Sequence, residues 1–369
     1  MKRKLYQKIY DDLEEKIQTG VYPLKSQLPP EQELIDTYQV SAITIKRALT
    51  ELKNSGYISR KPKEGTIVLS EVPTIIPLEK IHEKKTTLVG LIVPKIDSSF
   101  GIEILNGILD NTPPNLEIII KKSNGDIDKE DELLKEMMET GIDGIILLPT
   151  SSEYLSPTLL SIISSNFPIV VLDRILDGLP VSSVTVNNEQ TAQTLTNYLF
   201  SNGHRQIGFI SSSSHISSVS DREKGFVNAH AMSGLPLDTT LIKHFITSDV
   251  LEEEDEKKRD IKKIQKFISA NPTMTAIFST EYETALLIHK ACQNLKLKIP
   301  DDLSLVCYDH PIGNFMEAPF IITHIEQDQY EMGQATMRII HNKIKKNSTI
   351  EKFIAQGILI QGSSVKMID

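Results

Sequence analysis

Basic and hydroxyl side chains gathered at the start of one short helix are the first residues with evident chemistry. Residues 28–58 read as a helix, a tight turn and a second helix, and Thr44, Lys46 and Arg47 fall on the opening turns of that second helix. From there they can reach base edges or phosphates of a duplex. The basic stretch Ile58–Val68 follows and reads as a strand pair. Its Arg60, Lys61 and Lys63 suit phosphate or a minor groove, and Gly65 at the turn lets the backbone come close. Helix, turn, helix and basic hairpin in that order describe a winged helix-turn-helix, which places one helix in the DNA major groove.

Catalytic chemistry finds no comparable foothold. The sequence has no His-Glu-x-x-His, Cys-x-x-Cys, Gly-x-Ser-x-Gly, P-loop or Gly-x-Gly-x-x-Gly pattern, and its His residues are scattered. Neither a nucleophile–base pair nor a matched acid–base pair can be nominated. The chain therefore reads as a binder and not as an enzyme, with no cofactor and no metal.

The elements that position the basic residues follow from apolar spacing. Leu5, Ile9, Leu13 and Ile17, spaced by four, predict a helix over 5–19 that stops at Gly20. A second helix is expected over 30–38 with Leu34 and Ile35 inward. Ser41 can cap the third, whose inward residues are Ile45, Ala48, Leu49 and Leu52 and which ends at Gly56. Such a domain could also serve protein contacts, but the distribution of charge favours nucleic acid. The chain carries net −9, yet residues 1–70 hold 12 Lys+Arg against 9 Asp+Glu, an excess of +3, and the rest holds 28 against 40, or −12. An acidic bulk confines DNA contact to one surface.

Residues 70–86, with Pro73 and Pro77, read as a linker. From 87 onward short apolar strands alternate with helical stretches. Strands are expected at 88–93, 116–120, 144–148, 169–172, 206–210, 276–278 and 303–308, and helices at 129–139, 188–201, 222–232, 254–269 and 282–295. Continuous apolar strands imply parallel sheets buried on both faces. Ligands of such folds sit beyond the carboxyl ends of the strands. Ser211–Ser214 with Ser217 and Ser218 is expected to be one polar loop there, and no internal repeat is evident. The chain is long enough for two or three domains. Only Cys292 and Cys307 are present, no apolar run reaches membrane-spanning length, and the basic N-terminus leads into no apolar stretch. A cytoplasmic protein without a membrane partner is the expectation.

Residues 5–69 resemble the GntR family (the gluconate-repressor group). Leu28, Pro29, Glu31, Val40, Ser41, Thr44, Ala48, Leu49, Leu52, Gly56, Gly65 and Thr66 carry the likeness. The family usually has Arg after the Ser of the turn and often a basic residue after the Glu of the second helix. Here Ala42 and Gln32 stand at those positions, so either the operator differs or specificity leans on Gln32, Thr44, Lys46 and the wing; Ser41 is a further candidate DNA contact.

Residues 87–363 resemble the effector domain of LacI/GalR-type repressors, a type I periplasmic-binding-protein-like fold. Matching segments run in order: Leu88–Pro94 with Phe100, Gly141–Ile145, Pro168–Arg174, Val184–Asn188, Gly203–Phe209, Arg222–Phe226, Ile299–Val306, Tyr308–Asp309 and Thr323–Gln327. The resemblance implies a two-lobed α/β domain, lobe one about 87–188 and 327–350, lobe two about 189–325 and 351–369. It implies a sugar cleft lined by Asp97 or Phe100 after the first strand and by Asp173 or Arg174 after the fourth. It also implies Arg222 at the start of the helix after the Ser-rich loop, and Glu281, Asp309 and Gln327 on the far wall. Carboxylates accept from sugar hydroxyls, Arg donates in a fork, and an aromatic packs on a sugar face. Thr280-Glu281 stands where Asn-Asp is common, Cys307 where Gly is usual and His310 where Asp is usual.

A GntR-type reader on a LacI-type effector domain resembles the L-arabinose repressors of Gram-positive bacteria. The expected protein is a homodimeric repressor of carbohydrate-use genes on a double-stranded DNA operator. Its expected effector is L-arabinose or another pentose, which releases it. An activator or co-repressor-dependent regulator with the same parts, or a sugar-binding enzyme, are the alternatives.

Overall fold

The computed structural model describes residues 5–61, 65–70, 86–96, 100–213, 216–247, 254–311, 320–345 and 349–368. Lys63, Asp97 and most of the expected linker lie outside them. The chain divides into two compact units, residues 1–85 and 86–369.

In the first unit Leu5–Gln18 forms α1, Glu31–Tyr38 α2 and Ala42–Asn54 α3, while Ile58–Lys61 (β1) pairs antiparallel with Gly65–Val68 (β2). The apolar stripe of α1 begins one turn later than its spacing suggests. Ile9, Leu13 and Ile17 are buried, but Leu5 is 57% exposed. α3 buries Ile45, Ala48, Leu49 and Leu52 as expected. Ile45, Leu49 and Leu52 each contribute roughly 1.5–3 kcal/mol, and the Ala48 methyl about 0.8 kcal/mol. Gln39 ends α2 in a left-handed conformation, and the Ser41 hydroxyl caps α3 by accepting from Thr44 N at 3.4 Å. Tyr57 closes the core beneath the wing, donating to Glu14 Oε1 at 2.9 Å and accepting from Gln18 Nε2 at 2.8 Å.

The second unit holds two sheets. The first comprises Thr87–Val93 (β3), Leu116–Lys122 (β4), Gly144–Leu147 (β5), Ile169–Leu172 (β6), Ser182–Val186 (β7) and Lys352–Ala355 (β13), in the order β13-β7-β6-β5-β3-β4. The second comprises Ile207–Ser212 (β8), Ile242–Ile246 (β9), Ala276–Ser279 (β10), Ser304–Tyr308 (β11), Thr323–Gln327 (β12) and Gly357–Ile360 (β14), in the order β14-β12-β11-β10-β8-β9. Strand for strand the two orders are the same, so the unit is an internal repeat that the sequence does not reveal. All pairings are parallel except β12 with β14. Helices Ile102–Asp110 (α4), Ile127–Thr140 (α5) and Pro157–Ser164 (α6) serve the first lobe. Asn188–Ser201 (α7), Ser217–Met232 (α8), Glu254–Ala270 (α9) and Tyr282–Leu295 (α10) serve the second. Gln329–Ile344 (α11) returns to the core of the first lobe through Met332, Ala335 and Ile340.

The repeat extends to helix packing. Gly107 of α4 and Gly333 of α11 face each other so closely that a Cβ on either would strike the other helix's backbone. Gly225 of α8 makes the equivalent approach to α7 at the Glu189 carbonyl. Glycine is required because two helix backbones touch there.

One lobe boundary needs correction. Residues 352–355, expected in lobe two with the rest of the C-terminal segment, pair with β7 in the first sheet. The chain crosses to the second lobe only at Gln356, whose carbonyl accepts from Asp328 N at 2.9 Å at another crossing. At Gly357 a Cβ would lie 2.8 Å from Thr191 Cγ2 and 3.2 Å from both Ile325 Cγ2 and Val186 Cγ1, so the crossings are packed against each other. Ser217 and Ser218 are also not in a loop; they open α8, and Ser211 and Ser212 end β8. Ser214 lies outside the described residues.

Candidate DNA interface and effector cleft

α3 buries one face and presents Lys46, Arg47 and Thr50 on the other. Ser41 Oγ and Thr44 Oγ1 lie 2.9 Å apart at its N-terminus. Tertiary structure changes the surroundings of the remaining expected readers. Arg47 lies over the Tyr6 ring, 4.1 Å from its centroid, and Arg60 is ion-paired with Glu31. Gln32 donates to Asp36 Oδ1 at 3.3 Å. A DNA contact by Arg47, Arg60 or Gln32 must therefore displace or extend an existing partner. Lys61 stands opposite Gly65 at the end of the hairpin. Gly65 has φ +85°, and a Cβ there would meet the Gln27 side chain.

In the second unit a cavity of about 140 Å³ lies where the strands of the two lobes end. An engineered cavity of roughly 150 Å³ holds a benzene ring, so this one is of small-molecule size. Phe100, Asp173, Arg174, Arg222, Glu281, Asp309 and Gln327 all line it. Of the two alternatives after the fourth strand, both Asp173 and Arg174 reach the cavity. Phe100 does so after the first, packing on the lobe-one core, while Asp97 is not described.

Asp173 and Asp309 are the same position in the two halves of the repeat. Each follows its strand directly, β6 or β11, and each is left-handed, with φ +62° and +59°. Asp tolerates that region better than most residues. Each N–H continues the sheet, Asp173 N to Val184 O at 2.7 Å and Asp309 N to Ile325 O at 2.9 Å. The turn that ends each strand thus carries a carboxylate into the cavity, and both are buried, 8% and 6% exposed.

The charge of Arg222 bears on both carboxylates. It is 5% exposed and sits six residues into α8, not at its start as expected, because Ser217 begins the helix. Its Nε donates to Asn188 Oδ1 at 2.9 Å and its Nη1 to Thr280 O at 2.6 Å, with the guanidinium 3.7 Å from the Tyr308 ring centroid. Tyr308 is itself fixed by Thr191 Oγ1 at 2.8 Å and the Asn188 carbonyl at 3.2 Å. Burial raises the Asp173 carboxyl above its ordinary range against the opposing charges of Arg222 and Arg174. Burial likewise pushes Asp309 up to about 7, opposed by Arg222 and by the hydrogen bond from Gln327, and aided by Asp173. Gln327 Nε2 donates to Asp309 Oδ2 at 2.7 Å, and Gln329 Nε2 lies 3.4 Å from Oδ1.

Two buried acceptors on the cavity wall have no partner among the described residues: Asp173 Oδ1 from lobe one and Gln327 Oε1 from lobe two. Leaving such atoms unpaired costs about 1–3 kcal/mol each. Arg174 turns Nη1 to the Pro149 carbonyl. Glu281 stands at the start of α10 on the far wall. Lys95, Asn124, Thr150 and Glu283 also line the cavity and were not singled out from sequence, and Ser218 of the expected polar loop lines it too. The rule that ligands lie beyond strand ends points to Lys95, Asn124 and Thr150, which follow β3, β4 and β5. Nothing local marks Asn188 and Tyr308 as the support of Arg222.

Comparison with known proteins bears on both units. Residues 5–68 match the model of bacterial regulatory proteins of the gntR family, and residues 196–365 that of the periplasmic binding protein-like domain. The catabolite control protein A of Priestia megaterium is 29% identical over 325 residues, covering 86% of this chain and 92% of that protein. An arabinose metabolism transcriptional repressor of Geobacillus stearothermophilus is 25% identical over 348 residues, covering 92% of each chain. Among solved structures, the transcription regulator CcpA of Lactococcus lactis superposes with a TM-score of 0.66 at 21% identity, over 76% of this chain and 100% of that one. That last likeness speaks for the fold.

Proposed function

The chain joins a GntR-family winged helix to a LacI-like, periplasmic-binding-protein-like effector domain, and from that premise we propose that it is a transcriptional repressor of carbohydrate-use genes whose grip on its operator is set by a small polyol bound between the lobes. The observation that carries the ligand class is the pair of unpartnered acceptors, Asp173 Oδ1 and Gln327 Oε1, one from each lobe. A ligand that donates hydroxyl protons to both satisfies them and ties the lobes together. The cavity walls carry Asp173, Asp309, Glu281 and Glu283 against Lys95, Arg174 and Arg222. L-Arabinose or another pentose is the first candidate, supported by the arabinose-repressor relative that aligns across both units.

The effector acts by differential affinity. A sugar that prefers the DNA-incompetent arrangement of a homodimer releases the operator, by no more than the ratio of its affinities for the two states. Two readers in a dimer imply a near-palindromic operator. Thr44, Lys46 and the wing are the residues proposed to hold DNA; the seven cavity residues named above are proposed to hold sugar. The test is a thermal-shift screen against free and phosphorylated sugars, followed by gel shift at fixed salt with the hits. A free pentose is expected to raise the melting point and weaken the DNA complex. A hit that stabilises the protein but leaves operator affinity unchanged refutes the coupling.

A further inference from the structure

Ile43 is 79% exposed, in the first turn of α3. It shares a helix face with Lys46 and Arg47, three and four residues on. The fold makes no use of this side chain. The core of the unit comes from the opposite face, through Ile45, Ala48, Leu49 and Leu52, and Ala would serve the helix better than a β-branched residue. The polar groups beside it are directed elsewhere: Ser41 and Thr44 meet each other at 2.9 Å, and Arg47 lies on Tyr6. What the leading turn of α3 presents is therefore an apolar group. In the major groove the apolar feature of a base pair is the thymine 5-methyl.

We infer that Ile43 packs on the 5-methyl of a thymine and so specifies an A·T pair in each operator half-site. The assignment rests on the DNA-reading role proposed above. It also accounts for how the reader discriminates without an Arg at Ala42, since methyl recognition needs shape and burial, not a hydrogen-bond donor.

Operator duplexes are first selected from a random-sequence pool with the full-length protein in the absence of sugar. Each thymine of the selected half-site is then replaced by deoxyuridine, which removes only the methyl, and Kd is measured at one fixed salt concentration. For wild type, one replacement in a single half-site is expected to weaken binding about fourfold, the equivalent of ~0.8 kcal/mol for one buried carbon, and the same replacement in both half-sites about sixteenfold. In Ile43→Ala the same replacement is expected to cost less than about twofold, while Ile43→Val retains most of the penalty. Because the side chain is exposed, neither variant is expected to melt differently from wild type. If no uracil replacement weakens binding, or if the penalty persists undiminished in Ile43→Ala, the assignment is overturned, as it would be were the exposed Ile43 a protein-docking residue. Failure to enrich any sequence overturns the DNA-reading role itself, so the two failures are distinct.

Discussion

Replacing Asp309 by Asn is expected to make the protein more stable at alkaline pH while disabling it. Asp309 is buried, and its folded-state pKa of about 7 stands above the reference 3.8. A carboxyl whose folded pKa is raised contributes stability that is fully present below the unfolded pKa and is lost as pH climbs through the folded one. The difference of about 3 units corresponds to about 4 kcal/mol at high pH, of which less than 2 kcal/mol has already been lost at pH 5. Asn removes the ionisation, keeps the left-handed turn and can still accept from Gln327. The stability advantage of Asp309→Asn over wild type should therefore grow by about 2–3 kcal/mol between pH 5 and pH 8, roughly 3–5 °C in Tm for the unit spanning residues 86–369. Thermal melts of both proteins at the two pH values, with and without a sugar identified by the screen, measure this directly. The variant should also lose the sugar-induced rise in Tm. An advantage that stays constant or shrinks from pH 5 to pH 8 would refute the account of a strained, buried carboxylate.

Three further outcomes are expected. Arg222→Ala removes the buried donor to Asn188 Oδ1 and the Thr280 carbonyl and a charge that opposes the raised Asp173 and Asp309 carboxyls; it should lower stability at pH 8 by roughly 1–3 kcal/mol, judged by urea melts, and abolish release by sugar while operator binding measured by gel shift persists. Lys46→Ala should weaken operator binding by about 1–3 kcal/mol if it reads a base, and Arg47→Ala comparably; unchanged binding at fixed salt rejects either role. Gly333→Ala drives a methyl into the Ile104 carbonyl of α4, with Ile108 N 2.9 Å away, and should cost at least about 1–3 kcal/mol in denaturant unfolding, because backbone cannot yield as a side chain does.

Much of this protein is legible along the chain. The inward residues of α3, the bounds of α7 and α10, and β6 follow from local periodicity, because amphipathic helices and apolar central strands write their burial into consecutive residues. β7, β9, β12 and β13 did not stand out, because Ser, Thr, His, Lys and Glu interrupt them, and β14 because it is only four residues long and opens on Gly357; their strand character comes from neighbours supplied by distant segments. The exchange of residues 352–355 into the first lobe belongs to the same class: register with β7 decides it, not the composition of Lys352–Ala355.

The site divides along the same line. That polar residues just after parallel strands should line a cleft was settled by the alternating pattern, and Asp173 and Asp309 could be nominated singly. Their equivalence could not be, since a repeat conserved in strand order but not in residues is invisible until the sheets are formed. Nor could sequence tell that Arg222 rests on Tyr308 and Asn188, that Arg47 and Arg60 have Tyr6 and Glu31 as partners, or that Ile43 is left facing outward. Local sequence determines which face of an element is apolar; which polar groups then share a buried space, and so shift each other's protons and partners, depends on distances that only the assembled chain sets.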